Sequence, residues 1–91
     1  MQLPSVLTVA GSDSSGGAGI QADLKTIAAL GLYGQSVITA LTAQNTCGVR
    51  SIQETSVQVV IDQMDAVFED IRPAAVKIGM LSTSQIARTV A

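Results

Sequence analysis

The sequence predicts an α/β fold, a parallel sheet flanked by helices and present here as three βα units. Two observations carry the α/β prediction. Three short runs of apolar and β-branched residues have the unbroken character of buried parallel strands. Between them lie segments whose apolar residues recur at helical spacing, and strands that alternate with helices form βαβ units with right-handed crossovers.

The first unit begins with a predicted strand over residues 6–10, which is β-branched and bounded by Pro4 and Gly11. Residues 11–19 follow as a loop with four glycines and four short polar residues. A helix comes next, and Gly31 is its predicted C-terminal cap because glycine readily adopts the left-handed conformation. The apolar face of this helix is predicted to consist of Ile20, Leu24, Ile27 and Ala28.

The second unit begins with a β-rich strand over residues 34–43. A polar hinge over residues 44–48 and a short extended flap over residues 49–54 are predicted to follow. A helix then begins at Thr55 or Ser56, where Thr55-x-x-Gln58 fits a capping box. Its predicted apolar positions are Val57, Val60, Ile61, Met64, Val67, Phe68 and Ile71, and Pro73 marks its end.

The third unit contains a predicted strand over residues 74–78, a turn over residues 79–81 and a helix that begins at Ser82. This helix has no stop signal, and three buried-type strands alone would leave a sheet with uncovered edges. We therefore expect residues 1–91 to be the N-terminal part of a single domain whose C-terminal part is missing.

Composition and charge argue against several classes of function. The five Lys and Arg residues are scattered and the net charge is −2, so no basic stripe is available for nucleic acid. The absence of His, together with a single cysteine at Cys47, excludes Ser–His–Asp and Cys–His catalysis, His-ligated or paired-Cys zinc sites and an internal disulfide in these residues. The sequence also has no apolar run of about 18 residues and no signal-peptide pattern, which predicts a cytoplasmic protein that does not enter a membrane.

The glycine loop fits neither of the two common phosphate-binding motifs. Gly11-x-x-x-x-Gly16 begins like a P-loop, but Gly17 and Ala18 follow where that motif needs Lys and then Ser or Thr. Residues 17–22 match the looser dinucleotide pattern, yet no acidic residue follows at the spacing that holds a ribose, which makes a Rossmann oxidoreductase remote. Two interpretations stay open: a binding site for an anion or polar ligand, and a tight turn with close helix–strand packing.

Residues at the carboxyl ends of the predicted strands are the candidates for ligand binding, because open α/β sheets bind ligands there. They are Asp13 and Asp23 after the first strand, Gln44 and Asn45 after the second, and Gly79 and Met80 after the third. A carboxylate and an amide in one crevice suit a nitrogen heterocycle, whose donors and acceptors need partners when buried. Simpler roles remain open for each: a helix-dipole contact for Asp23, turn formation for Gln44, core packing for Met80 and a spectator thiol for Cys47.

Three segments of the sequence together resemble one known family. They are GSDSSGGAGIQADLKT at residues 11–26, YGQSVITALTAQNTCGV at residues 33–49 and KIGML at residues 77–81. In order and at the same spacing, they are similar to the N-terminal third of the hydroxymethylpyrimidine/phosphomethylpyrimidine kinases, which belong to the ribokinase-like superfamily. The resemblance covers almost the whole chain.

The resemblance implies ATP-dependent, Mg²⁺-assisted phosphorylation of 4-amino-5-hydroxymethyl-2-methylpyrimidine and then of its monophosphate, in thiamin biosynthesis. It also implies that Asp23 and Gln44 hydrogen-bond the pyrimidine edge, that Met80 packs on the ring, and that Gly16 and Gly17 let the loop close. A homodimer is expected for the full-length protein. The residues implied around the pyrimidine are Gly11, Ala18, Asp23, Thr42, Gln44 and Met80.

One part of the family pattern has no counterpart in this sequence. The late Gly-Thr-Gly-Cys type segment, which carries the catalytic base and the helix that steadies the transferring phosphoryl group, does not occur, and Cys47 is not that cysteine. We therefore expect no catalytic residue in these 91 residues, ATP and Mg²⁺ sites mainly outside them, and no kinase activity from this chain alone. A pyridoxal or pyridoxine kinase and a non-catalytic pyrimidine-binding module remain the alternatives.

Overall fold

The structure, a computed structural model, describes residues 3–79 and contains four strands and two helices within them. The predicted final helix from Ser82, the predicted turn residue Met80 and the end of the chain lie outside the described residues. In chain order the elements are β1 (Ser5–Asp13), α1 (Gly19–Ala29), β2 (Tyr33–Asn45), β3 (Gly48–Glu54), α2 (Val57–Glu69) and β4 (Ala75–Ile78).

The three predicted strands form the parallel sheet that the sequence indicates. β1 lies in the centre and pairs in parallel with β2 and with β4, and the sheet order is β3-β2-β1-β4. Val9 is opposite Val37 on one side and Ile78 on the other, so these apolar side chains share one face of the sheet.

β3 makes the sheet mixed rather than wholly parallel. The predicted flap over residues 49–54 is a regular strand that pairs antiparallel with β2. Gln44 and Asn45, predicted to belong to a hinge, instead continue β2, and the connection shortens to a tight turn in which the Cys47 amide donates to Asn45 Oδ1 at 2.8 Å. Pairing with β3 satisfies the backbone groups of these polar residues, which is why they remain extended.

The two helices cover opposite faces of the sheet. Val60 of α2 packs on the face that carries Leu7, Val9 and Val37, and all four residues are fully buried. Three of the other predicted core positions of α2, Val57, Met64 and Val67, pack against this cluster. Ile61, Phe68 and Ile71 do not, since each is more than one third exposed.

Helix α1 lies on the other face, as the alternation of β1 requires. Thr8, between the core residues of β1, points to this side and bonds a side chain of α1. Ile20 and Ile27 are buried there, whereas Ala28, also predicted for the apolar face, is exposed.

The predicted cap at Gly31 is confirmed in detail. Gly31 adopts a φ of 74°, its amide donates to Ala28 O at 3.0 Å, and the Leu32 amide donates to Ile27 O at 3.1 Å. This pair of bonds is the Schellman arrangement, which satisfies the last carbonyls of a helix.

Ser56, one of the two predicted starts, is the N-cap of helix α2, and the predicted Thr55-x-x-Gln58 capping box is not formed. Ser56 Oγ accepts a hydrogen bond from the Val59 amide at 3.2 Å, and the valine side chain at position 59 cannot accept one from the Ser56 amide in return.

We expect Ser56→Ala to lower the free energy of unfolding of the full-length protein by about 1 kcal/mol, measured by urea denaturation. Thr55→Ala is the matched control, and a larger loss for Thr55→Ala than for Ser56→Ala would contradict this assignment.

Candidate functional site

A cavity of about 550 Å³ opens at the carboxyl ends of the parallel strands. The ends of β1 and β2, the start of α1, one side of β3 and the end of β4 together form its walls. The polar and charged side chains that line it belong to Ser12, Asp13, Thr39, Thr42, Gln44, Glu54 and Lys77. The meeting of three strand ends, predicted from the sheet order expected for parallel βαβ units, is therefore present in the structure.

Four of the predicted pyrimidine-binding residues line this cavity, namely Gly11, Ala18, Thr42 and Gln44. Asp23 is not among the lining residues, and neither are Gly16 and Gly17, which lie in the loop between β1 and α1. Met80 lies outside the described residues. The proposed roles of these residues toward a substrate remain predictions.

The glycine loop is organised by Asp13, at the end of β1. Asp13 Oδ1 accepts hydrogen bonds from the Ser15 amide at 2.8 Å and from Ser15 Oγ at 2.7 Å, and Asp13 Oδ2 accepts one from the Gly17 amide at 3.1 Å. The hydrogen bond from the Ser15 side chain is the main reason that the pKa of Asp13 is lowered; burial opposes it, and the backbone amides add to it. An ionised carboxylate thus fixes the loop conformation.

Gln21, in the first turns of α1, joins the helix to the end of β1. Its Oε1 accepts from the Asp13 amide at 2.8 Å, and its Nε2 donates to Ser12 Oγ at 2.7 Å. Gln21 was not among the predicted candidates, because a half-buried glutamine in a helix has no distinctive sequence pattern. Its position two residues after Gly19, the first residue of the helix, is the available signal.

Thr42 and Gln44 connect the β2–β3 hairpin to the same loop. Gln44 Nε2 donates to Thr42 Oγ1 at 2.8 Å, and Thr42 Oγ1 donates to Ser12 O at 2.7 Å. Ser14 Oγ accepts from the Gln44 amide at 2.8 Å and donates to Gln44 O at 2.6 Å. Gln44 Oε1 accepts no hydrogen bond within residues 3–79, so it is available to a donor in the cavity.

Asp23 bonds two protein groups. Thr8 Oγ1 donates to Asp23 Oδ2 at 2.6 Å, and Lys77 Nζ donates to Oδ1 at 2.8 Å and to Oδ2 at 3.0 Å. Burial raises the pKa of Asp23, but the hydrogen bonds from Lys77 and Thr8 and the positive charge of Lys77 outweigh it, so the pKa is lowered overall. The carboxylate is ionised at neutral pH and already paired.

Lys77 is a second site residue that was not among the predicted candidates. It lines the cavity at β4, opposite Thr8 in the sheet register. The signal was present, because Lys77 is the only charged residue in the predicted third strand and begins the KIGML segment. A lysine in a short apolar strand at the edge of a sheet also has an ordinary explanation as a solubilising residue, and so it carries little information alone.

The described residues offer no ready metal site. Within residues 3–79 there is no group of three or more His, Cys, Asp or Glu residues that could hold a metal ion. The two acidic residues that line the cavity, Asp13 and Glu54, come from different walls, and Asp13 is committed to its own loop. Among the same residues, no helix is long and apolar enough to cross a membrane.

A mixed sheet whose parallel strands end at a crevice, bordered by a β-hairpin and a glycine loop, is typical of part of the ribokinase-like fold. The comparisons with known proteins agree. The sequence model of the phosphomethylpyrimidine kinase family matches residues 13–91, and the chain belongs to that family.

The chain spans about a third of the length of the curated relatives that it matches. It is 60% identical over 85 residues to the hydroxymethylpyrimidine/phosphomethylpyrimidine kinase of Rhizobium meliloti, covering 93% of this chain and 32% of the relative. It is 58% identical over 91 residues to the protein of the same name from Salmonella typhimurium, covering all of this chain and 34% of the relative.

Solved structures show the same fold. The crystal structure of phosphomethylpyrimidine kinase from Clostridium difficile is 59% identical with a TM-score of 0.94, over 96% of this chain and 38% of that one. A pyridoxal kinase from Staphylococcus aureus, solved with AMP-PCP and pyridoxal, is 37% identical with a TM-score of 0.89, over 99% of this chain and 34% of that one.

Proposed function

We propose that this chain is the N-terminal, substrate-binding part of a hydroxymethylpyrimidine/phosphomethylpyrimidine kinase. The observation that carries the proposal is the cavity at the strand ends, in a chain of this family. Val76 and Ile78 of β4 are about half exposed, which supports a longer domain whose remaining part covers them. The full-length protein phosphorylates 4-amino-5-hydroxymethyl-2-methylpyrimidine and then its monophosphate.

In this proposal the cavity binds the flat heterocycle through a few polar groups and small residues. Gln44 Oε1 accepts a hydrogen bond from the exocyclic amine of the pyrimidine, because no group within the described residues donates to this oxygen. Gly11 and Ala18 leave room for the ring to approach the backbone, and Thr42 orients Gln44 through the bond to its amide nitrogen. Met80, outside the described residues, keeps its predicted role of packing on the ring.

Asp23 has a second part besides the hydrogen bond to the pyrimidine that the resemblance implies. Its two carboxylate oxygens bond Thr8 and Lys77. In this proposal Asp23 therefore also holds Lys77 in place, and its contact with the ring remains a prediction. Gly16 and Gly17 keep their proposed role, since they give the loop the freedom to close over substrate and exclude water.

The cofactors belong to the proposed full-length protein. When bound, Mg·ATP supplies the γ-phosphoryl group and the metal charge that stabilises its transfer. The residues of this chain bind and orient the pyrimidine and exclude water from it, and the acids described here do not form a metal site. A cytoplasmic location and a homodimeric assembly remain predictions.

The proposal is tested with the full-length protein, Mg·ATP and 4-amino-5-hydroxymethyl-2-methylpyrimidine. Mass spectrometry is expected to detect the monophosphate first and the diphosphate afterwards, with one ADP released per step. Pyridoxal is the competing substrate, because the similarity to a pyridoxal kinase makes that activity the second candidate. A kcat/KM for pyridoxal equal to or above that for the pyrimidine alcohol would contradict the assignment.

The 91-residue chain alone is expected to release no ADP from Mg·ATP and the pyrimidine alcohol. The reason is that phosphoryl transfer needs positioned groups and metal charge around the γ-phosphate, and residues 3–79 contain no group of His, Cys, Asp or Glu residues that could hold a metal ion. A coupled ADP assay measures this, with the full-length protein as the positive control. Turnover by the chain at about 1 to 100 s⁻¹, the ordinary range for kinases, would refute the expectation.

A further inference from the structure

Lys77 is the only cationic side chain among the described residues that line the cavity. The other two charged residues on its walls, Asp13 and Glu54, are acidic and would repel an anion. Gly19, the first residue of α1, also lines the cavity, so the positive end of that helix faces the same space. Within residues 3–79, Lys77 is therefore the one positively charged side chain in this cavity that an anionic group can bind.

Asp23 holds the ammonium group of Lys77 in place but does not engage all of its hydrogen-bond donors. Asp23 accepts from it at 2.8 and 3.0 Å, and Thr8 in turn donates to Asp23 at 2.6 Å. The carboxylate side chain is 17% exposed, whereas the lysine side chain is 56% exposed. An ammonium has three donors, and Asp23 engages at most two of them, so at least one remains for a ligand.

We propose that Lys77, positioned by Asp23, binds the phosphate of the monophosphorylated pyrimidine and lets one cavity accept both substrates. This inference rests on the proposed function. The first substrate is a neutral alcohol, whereas the second carries a phosphate monoester with a charge of about −1.5 to −2 at neutral pH. A charge-assisted bond from an ammonium to a phosphate oxygen is about twice as strong as a neutral one. Lys77 thus contributes more to the second phosphorylation than to the first.

The experiment compares the two steps in the full-length protein under saturating Mg·ATP. The measured quantity is the ratio of kcat/KM for the monophosphate to kcat/KM for the alcohol. Lys77→Gln is expected to lower this ratio by about tenfold to 100-fold, because one hydrogen bond to a charged group is lost from only one of the two substrates. Lys77→Arg, which keeps the charge, is expected to restore most of it.

Inorganic phosphate supplies a second readout that does not depend on turnover of the monophosphate. It is expected to compete with the monophosphate in the wild-type protein, and its inhibition constant is expected to rise in Lys77→Gln. Asp23→Asn, which removes the charge that holds Lys77 but keeps the shape, is expected to change both readouts in the same direction by a smaller factor.

Lys25→Gln is the matched control. Lys25 also bonds an oxygen of the protein, Gly16 O at 2.9 Å, but it does not line the cavity, so the ratio is expected to stay constant. A purely structural ion pair between α1 and β4 would lower both steps equally, and an unchanged ratio in Lys77→Gln overturns the proposal.

The outcomes separate this inference from the proposed function. Failure of the wild-type protein to phosphorylate the alcohol contradicts the function, whereas two active steps with an unchanged ratio contradict only the role of Lys77. If Lys77→Gln does not fold, inhibition of the Asp23→Asn protein by inorganic phosphate decides. A raised inhibition constant supports the proposal, and an unchanged one overturns it.

Discussion

Replacing Gly19 by alanine is expected to abolish the cavity and to destabilise the protein strongly. Gly19 has a φ of 58°, and a Cβ on it would overlap the carbonyl oxygen of Gly11 and lie 3.3 Å from the carbonyl carbon. Both neighbours are backbone atoms, so the end of β1 or the start of α1 must move. The left-handed conformation costs about 1–2 kcal/mol and the overpacking about 1–3 kcal/mol more.

The measurements are the urea midpoint and kcat/KM of the full-length protein. We expect a loss of about 3 kcal/mol in the free energy of unfolding and of at least about 100-fold in kcat/KM, since Gly11 and Gly19 both line the cavity. Gly31→Ala is the matched control, because Gly31 has a φ of 74° but nothing within 4 Å of its Cβ position. It should show the conformational cost and retain activity. Equal effects of the two substitutions would show that the contact with Gly11 is unimportant.

Gly19 also illustrates which parts of the fold a single sequence predicts. The strand–loop–helix order, the Gly31 cap and the side of α2 that carries Val60 follow from local rules: apolar periodicity and the conformational freedom of glycine. The clash that makes Gly19 necessary is not local. It depends on how closely Gly11 of β1 approaches Gly19, eight residues further along the chain, and only the packed structure shows that distance.

The partners of β3 and of Asp23 could not be predicted from local sequence patterns either, because both depend on contacts between separate segments of the chain. Residues 49–54 carry a weak extended pattern, and their strand character comes from hydrogen bonds to β2. Asp23 was predicted to face a ligand from its place after the first strand. Its contact with Lys77 joins residues 54 positions apart, through a parallel pairing of β1 with β4 whose register the sequence does not reveal.

Gln44 was easier to predict, because the carboxyl end of a parallel strand is where such sheets bind ligands, whereas Thr42 was implied only by the resemblance to the kinase family. Their place on the cavity wall follows from the sheet order alone. What could not be predicted is that the hydroxyl of Thr42 is shared between Gln44 and the carbonyl of Ser12. That link ties the hairpin to the glycine loop, so the two walls of the cavity are expected to move together.

Asp13→Ala is expected to have the second largest effect on activity. The substitution removes the acceptor for the Ser15 amide, the Ser15 hydroxyl and the Gly17 amide, all at once. Donors that lose their partner in a partly buried loop favour another loop conformation. Because a displacement of about 1 Å at a binding site can cost about 100-fold in rate, we expect a loss of that order in kcat/KM of the full-length protein. Asp62→Ala, on the exposed face of α2, is the control and should retain activity.

The stabilisation of the glycine loop by the negative charge of Asp13 can also be tested by varying the pH. Its pKa is lower in the folded protein than the ordinary value of 3.8, so folding favours the ionised form. The stabilisation is therefore complete above the unfolded-state pKa of about 3.9 and is lost as the pH falls through the lower, folded-state pKa. The difference in urea midpoint between the wild-type protein and Asp13→Asn should be constant from pH 5 to 7 and shrink below pH 4. A difference as large at pH 3 as at pH 7 would mean that the negative charge of Asp13 does not hold the loop.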